Sequence, residues 1–198
     1  MNILFASSNK NKIKEIQALM PAKTTLYGLA DINFITDIAE TEATIEGNSK
    51  LKAEFIWNYL KTNVPSIQID AVFADDSGLE VESLNNAPGV FSARYAGEPK
   101  NDDANNKKLL EELKTITKRN AQFKTIITFI NSKENQQFEG VIKGTIAYEP
   151  RGTNGFGYDP LFIPQGYRST FAELDFQTKN NISHRALAVQ HLVEHLNK

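Results

Sequence analysis

Apolar and polar positions change period along the chain, and each change marks an element. Asn2 to Ala6 is an apolar run that breaks at Ser7-Ser8-Asn9, which predicts a short buried strand followed by helix N-cap chemistry. Lys10 to Met20 then spaces Ile13, Ile16 and Met20 for one helix face. Thr44 to about Lys61 predicts a second helix, with an inner stripe of Leu51, Phe55 and Tyr59 widened by Ile56 and Leu60, and a separate polar face carrying Asn48 and Lys52. Ala71 to Ala74 predicts a buried strand that runs into a turn at Asp75-Asp76-Ser77-Gly78, with another strand from Leu79 to Leu84. Asn85 to Lys100 predicts a long loop, because Pro88-Gly89, Ala96-Gly97 and Pro99 punctuate it. A third helix is expected from Asp102 to about Thr117. Phe123, Thr125, Ile127 and Phe129 alternate as a strand that pairs with another from Phe138 to Tyr148. Leu161 to Ile163 and a last helix, Ile182 to Leu196, complete the pattern. Strand and helix alternate first and a hairpin follows, which predicts an α/β or α+β fold around a mixed sheet.

Composition narrows the function classes. The chain has 198 residues, 22 Lys plus Arg against 24 Asp plus Glu, and a net charge of −2. Such a length buries roughly 70% of the extended surface and needs no staples. No linker or repeat divides it, so a single domain over 1–198 is expected. The slightly negative total argues against a general nucleic-acid coat. The absence of cysteine excludes thiol catalysis and thiolate metal sites. No apolar stretch approaches membrane-spanning length, and a cytoplasmic setting is the expectation.

Five stretches carry candidate chemistry, and each also has a plain structural reading. Ser7-Ser8-Asn9-Lys10-Asn11-Lys12 at a strand-to-helix junction suits a phosphate cradle, or is an N-cap and a solvated basic turn. Asp75-Asp76 at a strand end suits a Mg²⁺ ligand or general base, or is a capped turn. Alternation sends successive strand side chains to opposite faces, so only one of the two enters a given site. Glu40 or Glu42 completes a metal site with Asp76, or is a solvated acidic turn. Gly155-Phe156-Gly157-Tyr158-Asp159 suits a flat ligand, with Phe156 or Tyr158 stacking and Asp159 accepting from a ring N–H, or is a tight loop. Lys179 with Ser183-His184-Arg185 gathers donors at a helix start, for a carbonyl or a phosphate. A sixth pattern, His191-Leu192-Val193-Glu194-His195, has zinc-site spacing, but little chain follows to supply a third ligand. It is expected on the outer face of the last helix.

Taken in order, Ser8-Asn9 with Lys12 and Glu15, Asp75-Asp76-Ser77-Gly78-Leu79, Ala87-Pro88-Gly89 with Ser92-Ala93-Arg94-Tyr95, Gly155 to Pro160, and Ser183-His184-Arg185 resemble the inosine triphosphate pyrophosphatase family, the non-canonical purine NTP pyrophosphatases. The resemblance spans nearly the whole chain. It implies an α/β fold with a long mixed central sheet flanked by helices, and two lobes with the active-site cleft between them. It also implies hydrolysis of ITP, dITP and XTP to the monophosphate and pyrophosphate, a Mg²⁺ requirement and a homodimer. Carried onto this chain, Ser7, Ser8, Asn9, Lys10, Asn11 and Lys12 form the triphosphate cradle. Glu40 and Asp76 are metal ligands, and Asp76 is also the proton acceptor, with Ser77 beside it. Lys52 and Arg94 contact the nucleotide, and Phe156, Gly157, Tyr158, Asp159, Lys179, His184 and Arg185 build the nucleoside pocket.

Ser8 and Glu42 depart from the glycines usual in the family. Ser8 adds a side chain near the phosphates, and Glu42 adds negative charge near the metal. Two other readings compete: the related septum-formation-inhibitor pyrophosphatases with other substrates, and a nucleotide-binding module without catalysis.

Overall fold

A computed structural model describes residues 1–197. Its strands are β1 (Asn2–Phe5), β2 (Thr25–Gly28), β3 (Ala71–Val81), β4 (Ala87–Pro88), β5 (Asn120–Asn131), β6 (Asn135–Ile146) and β7 (Phe162–Pro164). The α-helices are α1 (Lys10–Gln17), α2 (Ile45–Thr62), α3 (Asp102–Glu112), α4 (Phe176–Ile182) and α5 (His184–Leu196). The strands form one mixed sheet in the order β2-β1-β3-β5-β6-β7, with β4 paired to β3. β1 runs parallel to both β2 and β3, whereas β4 on β3 and β7 on β6 are antiparallel. The expected α/β fold with a mixed central sheet and flanking helices is therefore present.

The chain divides into two compact units. The first holds Met1–Asp76, Thr125–Gly140 and the chain from Arg185 onward. It has two apolar clusters. In one, Phe5 stacks on Phe73 at 4.7 Å, with Ile3, Ile16, Ile127, Phe129, Val189 and Leu192 around them. In the other, Leu4, Val72 and Ala74 meet Ala53 and Ile56 of α2. Adjacent residues of β1 and β3 thus feed different clusters, as strand alternation requires. The second unit holds Ser77–Lys124 and Val141–His184, and its core gathers Leu79, Val81, Leu109, Leu113, Phe123, Phe162 and Phe171.

Three expectations are corrected. Asp75-Asp76-Ser77-Gly78 is not a turn. β3 passes through it unbroken from Ala71 to Val81, and Gly78 keeps an ordinary strand backbone. The two acids looked like a strand end because charge is costly inside a sheet; buried cations compensate it here, as shown below. Of the expected inner stripe of α2, Ile56 is fully buried and Tyr59 and Leu60 pack against its cluster, but Leu51 is only half-buried and Phe55 is exposed. Ile45, Asn48, Ser49, Lys52, Ala53 and Ile56 are buried, while Phe55 stays about half exposed and meets Phe34 edge-on. Apolarity alone found only part of the buried face, because the polar side of the helix carries the site. The expected last helix, Ile182 to Leu196, is α5 and starts at His184; a further helix that the pattern did not mark, α4, ends at Ile182 ahead of it. β2 was not foreseen, since Thr25–Gly28 is short and mostly half-buried.

Candidate functional site

Asp75 and Asp76 are consecutive in β3, so their side chains point to opposite faces. Each meets its own cations. Asp75 is 2% exposed and receives Lys12 Nζ on Oδ1 at 2.9 Å and Arg185 Nε on Oδ2 at 3.2 Å. Arg185 is held in turn by Glu15 through its Nη1. Lys12 and Glu15 lie three residues apart on α1 and share a helix face, which sets them side by side. Asp76 receives Lys52 Nζ at 3.1 Å, and the same ammonium donates to Glu40 at 2.6 Å.

The two acids titrate in opposite directions. Burial alone raises the proton affinity of Asp75, but Lys12 and then Arg185 outweigh it and hold the carboxyl well below the usual carboxylate range. Burial raises Asp76 as well; Lys52 and Lys12 oppose the rise, the Glu40 charge adds to it, and the net direction is upward. Burial lowers Lys12 further than Asp75 restores it, whereas Asp76 and Glu40 overcome burial at Lys52 and raise it. Asp75 is thus a fixed anion, and Asp76 is the carboxylate with enhanced proton affinity.

No cluster of three or more metal-ligating side chains occurs among the described residues. Glu40 and Asp76 nevertheless converge on a single ammonium, and two hard carboxylates at one cationic point fit Mg²⁺. That ion is commonly held by one or two carboxylates together with water and substrate phosphate. The pattern at His191 and His195 holds no such site. His191 Nδ1 lies 2.8 Å from the Glu139 carbonyl oxygen, and His195 Nε2 lies 2.9 Å from Glu134.

The predicted cradle opens α1. Asn9 is the N-cap, its Oδ1 accepting from the Asn11 and Lys12 amides at 3.0 and 3.2 Å, while Ser7 Oγ accepts from the Asn9 amide. The plain N-cap reading therefore describes the local geometry. It leaves the hydroxyls of Ser7 and Ser8 and the ammonium groups of Lys10 and Lys12 as donors for an anion.

In the second unit, Asp159 shapes the Gly-rich loop. Its Oδ2 accepts from the Phe156 amide at 2.8 Å and from Lys179 Nζ at 2.5 Å. Gly155 has φ +78°, and a Cβ there would strike the Asp159 carboxylate, so glycine is required on both counts. Gly157 is pinned by Asp102 on its N–H and by Asn106 on its carbonyl. Tyr158 is buried, and its hydroxyl donates to the Ser92 carbonyl at 2.9 Å. Tyr158 therefore packs in the core, and Phe156, half-buried with Lys179 Nζ 5.0 Å from its ring centroid, is the aromatic suited to stacking. His184 lies flat on Phe123 at 4.6 Å. Arg94 ends a 3₁₀ turn and is half-buried, as is Ser77 within β3.

The structure thus brings together Lys12, Asp75 and Arg185, then Glu40, Lys52 and Asp76, and, in the other unit, Phe156, Asp159 and Lys179. Arg185, expected in the nucleoside pocket, is 2% exposed, and its guanidinium is held by Asp75 and Glu15. Glu15 was not foreseen as a site residue, although its i+3 spacing from Lys12 is a readable signal.

The sequence model of the Ham1 family matches residues 3–195. The dITP/XTP pyrophosphatase of Flavobacterium johnsoniae is 49% identical over 98% of this chain and 97% of its own length. That of Porphyromonas gingivalis is 50% identical over 98% of this chain and 96% of its own. Among solved structures, the Ham1 protein of Staphylococcus aureus is 39% identical with a TM-score of 0.87, covering 100% of this chain and 98% of that one. A HAM1 protein from Coxiella burnetii is 37% identical with a TM-score of 0.88 over the same shares.

Proposed function

The chain belongs to the Ham1 family, and from that premise we propose that it hydrolyses the non-canonical purine triphosphates ITP, dITP and XTP to the nucleoside monophosphate and pyrophosphate. It is a nucleoside triphosphate pyrophosphatase, and it removes deaminated purines from the nucleotide pool. The observation that carries the reading is the convergence of Glu40 and Asp76 on Lys52 Nζ.

In this reading Asp76 accepts a proton from the water that attacks the α-phosphorus. The bond from that phosphorus to the oxygen bridging the α and β phosphates breaks, and pyrophosphate departs. The raised proton affinity of Asp76 suits a base. Glu40 and Asp76 would hold Mg²⁺, which when bound neutralises phosphate charge and makes pyrophosphate a better leaving group. Lys12 and the Ser7 to Asn11 donors bind the triphosphate, and Lys52 contributes charge beside the base. Phe156 stacks on the purine, and Lys179, His184 and Arg94 belong to nucleotide recognition. A carbonyl at C6, as in hypoxanthine and xanthine, pairs with donors that leave the adenine amino group unmatched, and guanine, which shares that carbonyl, is rejected at its 2-position. Arg185 is given a different task, the fixing of Asp75.

The proposal extends to one catalytic domain over 1–198, supported by the family match from 3 to 195, and to a cytoplasmic homodimer, supported by the family resemblance. No helix among the described residues is long and apolar enough to cross a membrane.

The test is pyrophosphate release from ITP, dITP, XTP, GTP, ATP and dUTP with Mg²⁺, against an EDTA control. Metal-dependent release from the first three with little from ATP and GTP is expected. Flat or absent release refutes the reading.

A further inference from the structure

Glu40 lies in an irregular segment, whereas Asp76 lies in a central strand of the sheet. A loop carboxylate and a strand carboxylate share one cation only if something sets their separation. The first turns of α2 carry contacts that do this. Asn48 is fully buried, and its Oδ1 accepts from the Glu42 amide, two residues past Glu40, at 2.9 Å. Ser49 is also fully buried. Its Oγ donates to the carbonyl of Ala74, the residue before Asp75, at 3.1 Å and lies 2.9 Å from Thr128 Oγ1 of β5. Gln137 of β6 closes the chain, donating to Thr128 Oγ1 at 2.9 Å and to the Glu46 carbonyl at 3.0 Å. One turn on from Asn48, on the same helix face, stands Lys52.

Gly47 adds an independent constraint. A Cβ there would lie 2.7 Å from Glu42 Cβ and 3.0 Å from Thr44 Oγ1, so the loop is seated on the bare backbone of that residue. The Nδ2 of Asn48 is buried with no acceptor, a penalty that native structures rarely carry. The amide is thus oriented by its contact with the loop and not by a wider network. We propose that Asn48 and Ser49 are positioning residues: neighbours on one helical turn, they clamp the Glu40 loop on one side and β3 on the other. They thereby fix the spacing of Glu40 and Asp76 and the affinity of that pair for a divalent cation. Orientation of ligands by their supporting contacts is commonly worth roughly 10- to 100-fold in metal affinity.

The inference rests on the reading of Glu40 and Asp76 as the cation site, and the test separates the two. Bound Mn²⁺ is read by electron paramagnetic resonance on the intact chain with the non-cleavable α,β-methylene analogue of ITP, against the analogue alone. Circular dichroism checks the fold. Asn48→Ala and Thr128→Val are expected to weaken Mn²⁺ about 10-fold, while Thr128→Ser, which keeps the hydroxyl, matches the parent chain. Should Asn48→Ala not fold, Gly47→Ala carries the test, since it removes no hydrogen-bonding group and its Cβ presses chiefly on the Glu42 side chain, with the Thr44 cap oxygen at 3.0 Å. Unchanged Mn²⁺ affinity in a folded Asn48→Ala or Gly47→Ala chain overturns the positioning role and leaves the cation site standing. Failure of the parent chain to hold Mn²⁺ beyond the analogue alone overturns both.

Discussion

Asp75 and Asp76 are covalent neighbours on one strand, and the two faces of β3 make them different acids. On one face Asp75 is enclosed by Lys12, Arg185 and, behind Arg185, Glu15, a set of two carboxylates and two cations. On the other, Asp76 and Glu40 share the single Lys52, and Glu40 keeps 27% of its side chain exposed. The first set pairs each carboxylate with a cation, so it fixes Asp75 and Arg185 and leaves Lys12, its side chain 16% exposed, at the edge for the triphosphate. In the second, two carboxylates converge on one ammonium beside an opening to solvent, which suits a further cation. Equal chemistry at adjacent positions is divided by strand alternation into a structural role and a reactive one.

The largest expected effect breaks this division at the reactive acid. Asp76→Asn keeps volume and an acceptor for Lys52 but removes the base, so turnover of ITP should fall by about 10²- to 10⁴-fold with the fold intact. Steady-state pyrophosphate release and a melting curve measure both. A retained rate would place the base elsewhere.

Next is the set around Asp75. Arg185→Ala leaves Glu15 and Asp75 buried with a partner missing, and unpairing a buried ion costs roughly 3–5 kcal/mol. Urea unfolding should show that loss. If Arg185 instead reads the purine, stability will change little and KM for ITP will rise.

The opposite titration of the two acids sharpens the comparison. The folded-state proton affinity of Asp75 is depressed, so its contribution to stability is complete above the unfolded carboxylate range near about pH 4 and is lost as pH falls below it. That of Asp76 is raised, so the folded chain takes up a proton there before the unfolded chain does, and stability grows as pH falls from neutrality. Metal-free unfolding midpoints across pH should therefore rise and then fall. Asp76→Asn should flatten the rise, and Asp75→Asn the fall. A single monotonic curve in all three chains would contradict the assignment.

Much of this was readable in the sequence, for specific reasons. The apolar runs at Ile3 to Ala6 and Ala71 to Ala74 placed the two strands at the site, because parallel strands buried on both faces are apolar throughout. The Asp-Asp pair stood out because charge next to such a run needs compensation, whereas the roles of Lys12, Lys52 and Glu40 came from the family resemblance. The continuation of β3 through Ser77 and Gly78 was not readable, since carboxylates and glycine both signal a turn unless the cations that accommodate them are known. The buried polar face of α2 was missed for the same reason: Asn48, Ser49 and Lys52 look like a solvated face until their partners, 6 to 79 residues away, are in place. The pairing of Arg185 with Asp75 and Glu15 lay beyond any local pattern, because those partners are 110 and 170 residues away in the chain.

The smallest expected effect tests how far the open set extends. Glu42 is exposed and lies two residues past Glu40, in the position where relatives were expected to carry glycine. Exposed charges interact weakly through water, by about 1 kcal/mol or less. Glu42→Gly keeps the backbone N–H that Asn48 accepts, so the clamp on the loop survives apart from the added freedom of glycine. The Mg²⁺ concentration for half-maximal ITP hydrolysis should rise, because negative charge is removed, but by no more than about fivefold. A larger rise would make Glu42 a direct part of the cation site. A fall would mean that glycine lets the loop close more tightly than the present Glu42-on-Gly47 packing allows, and that the balance of charge across β3 matters less than the freedom of the loop.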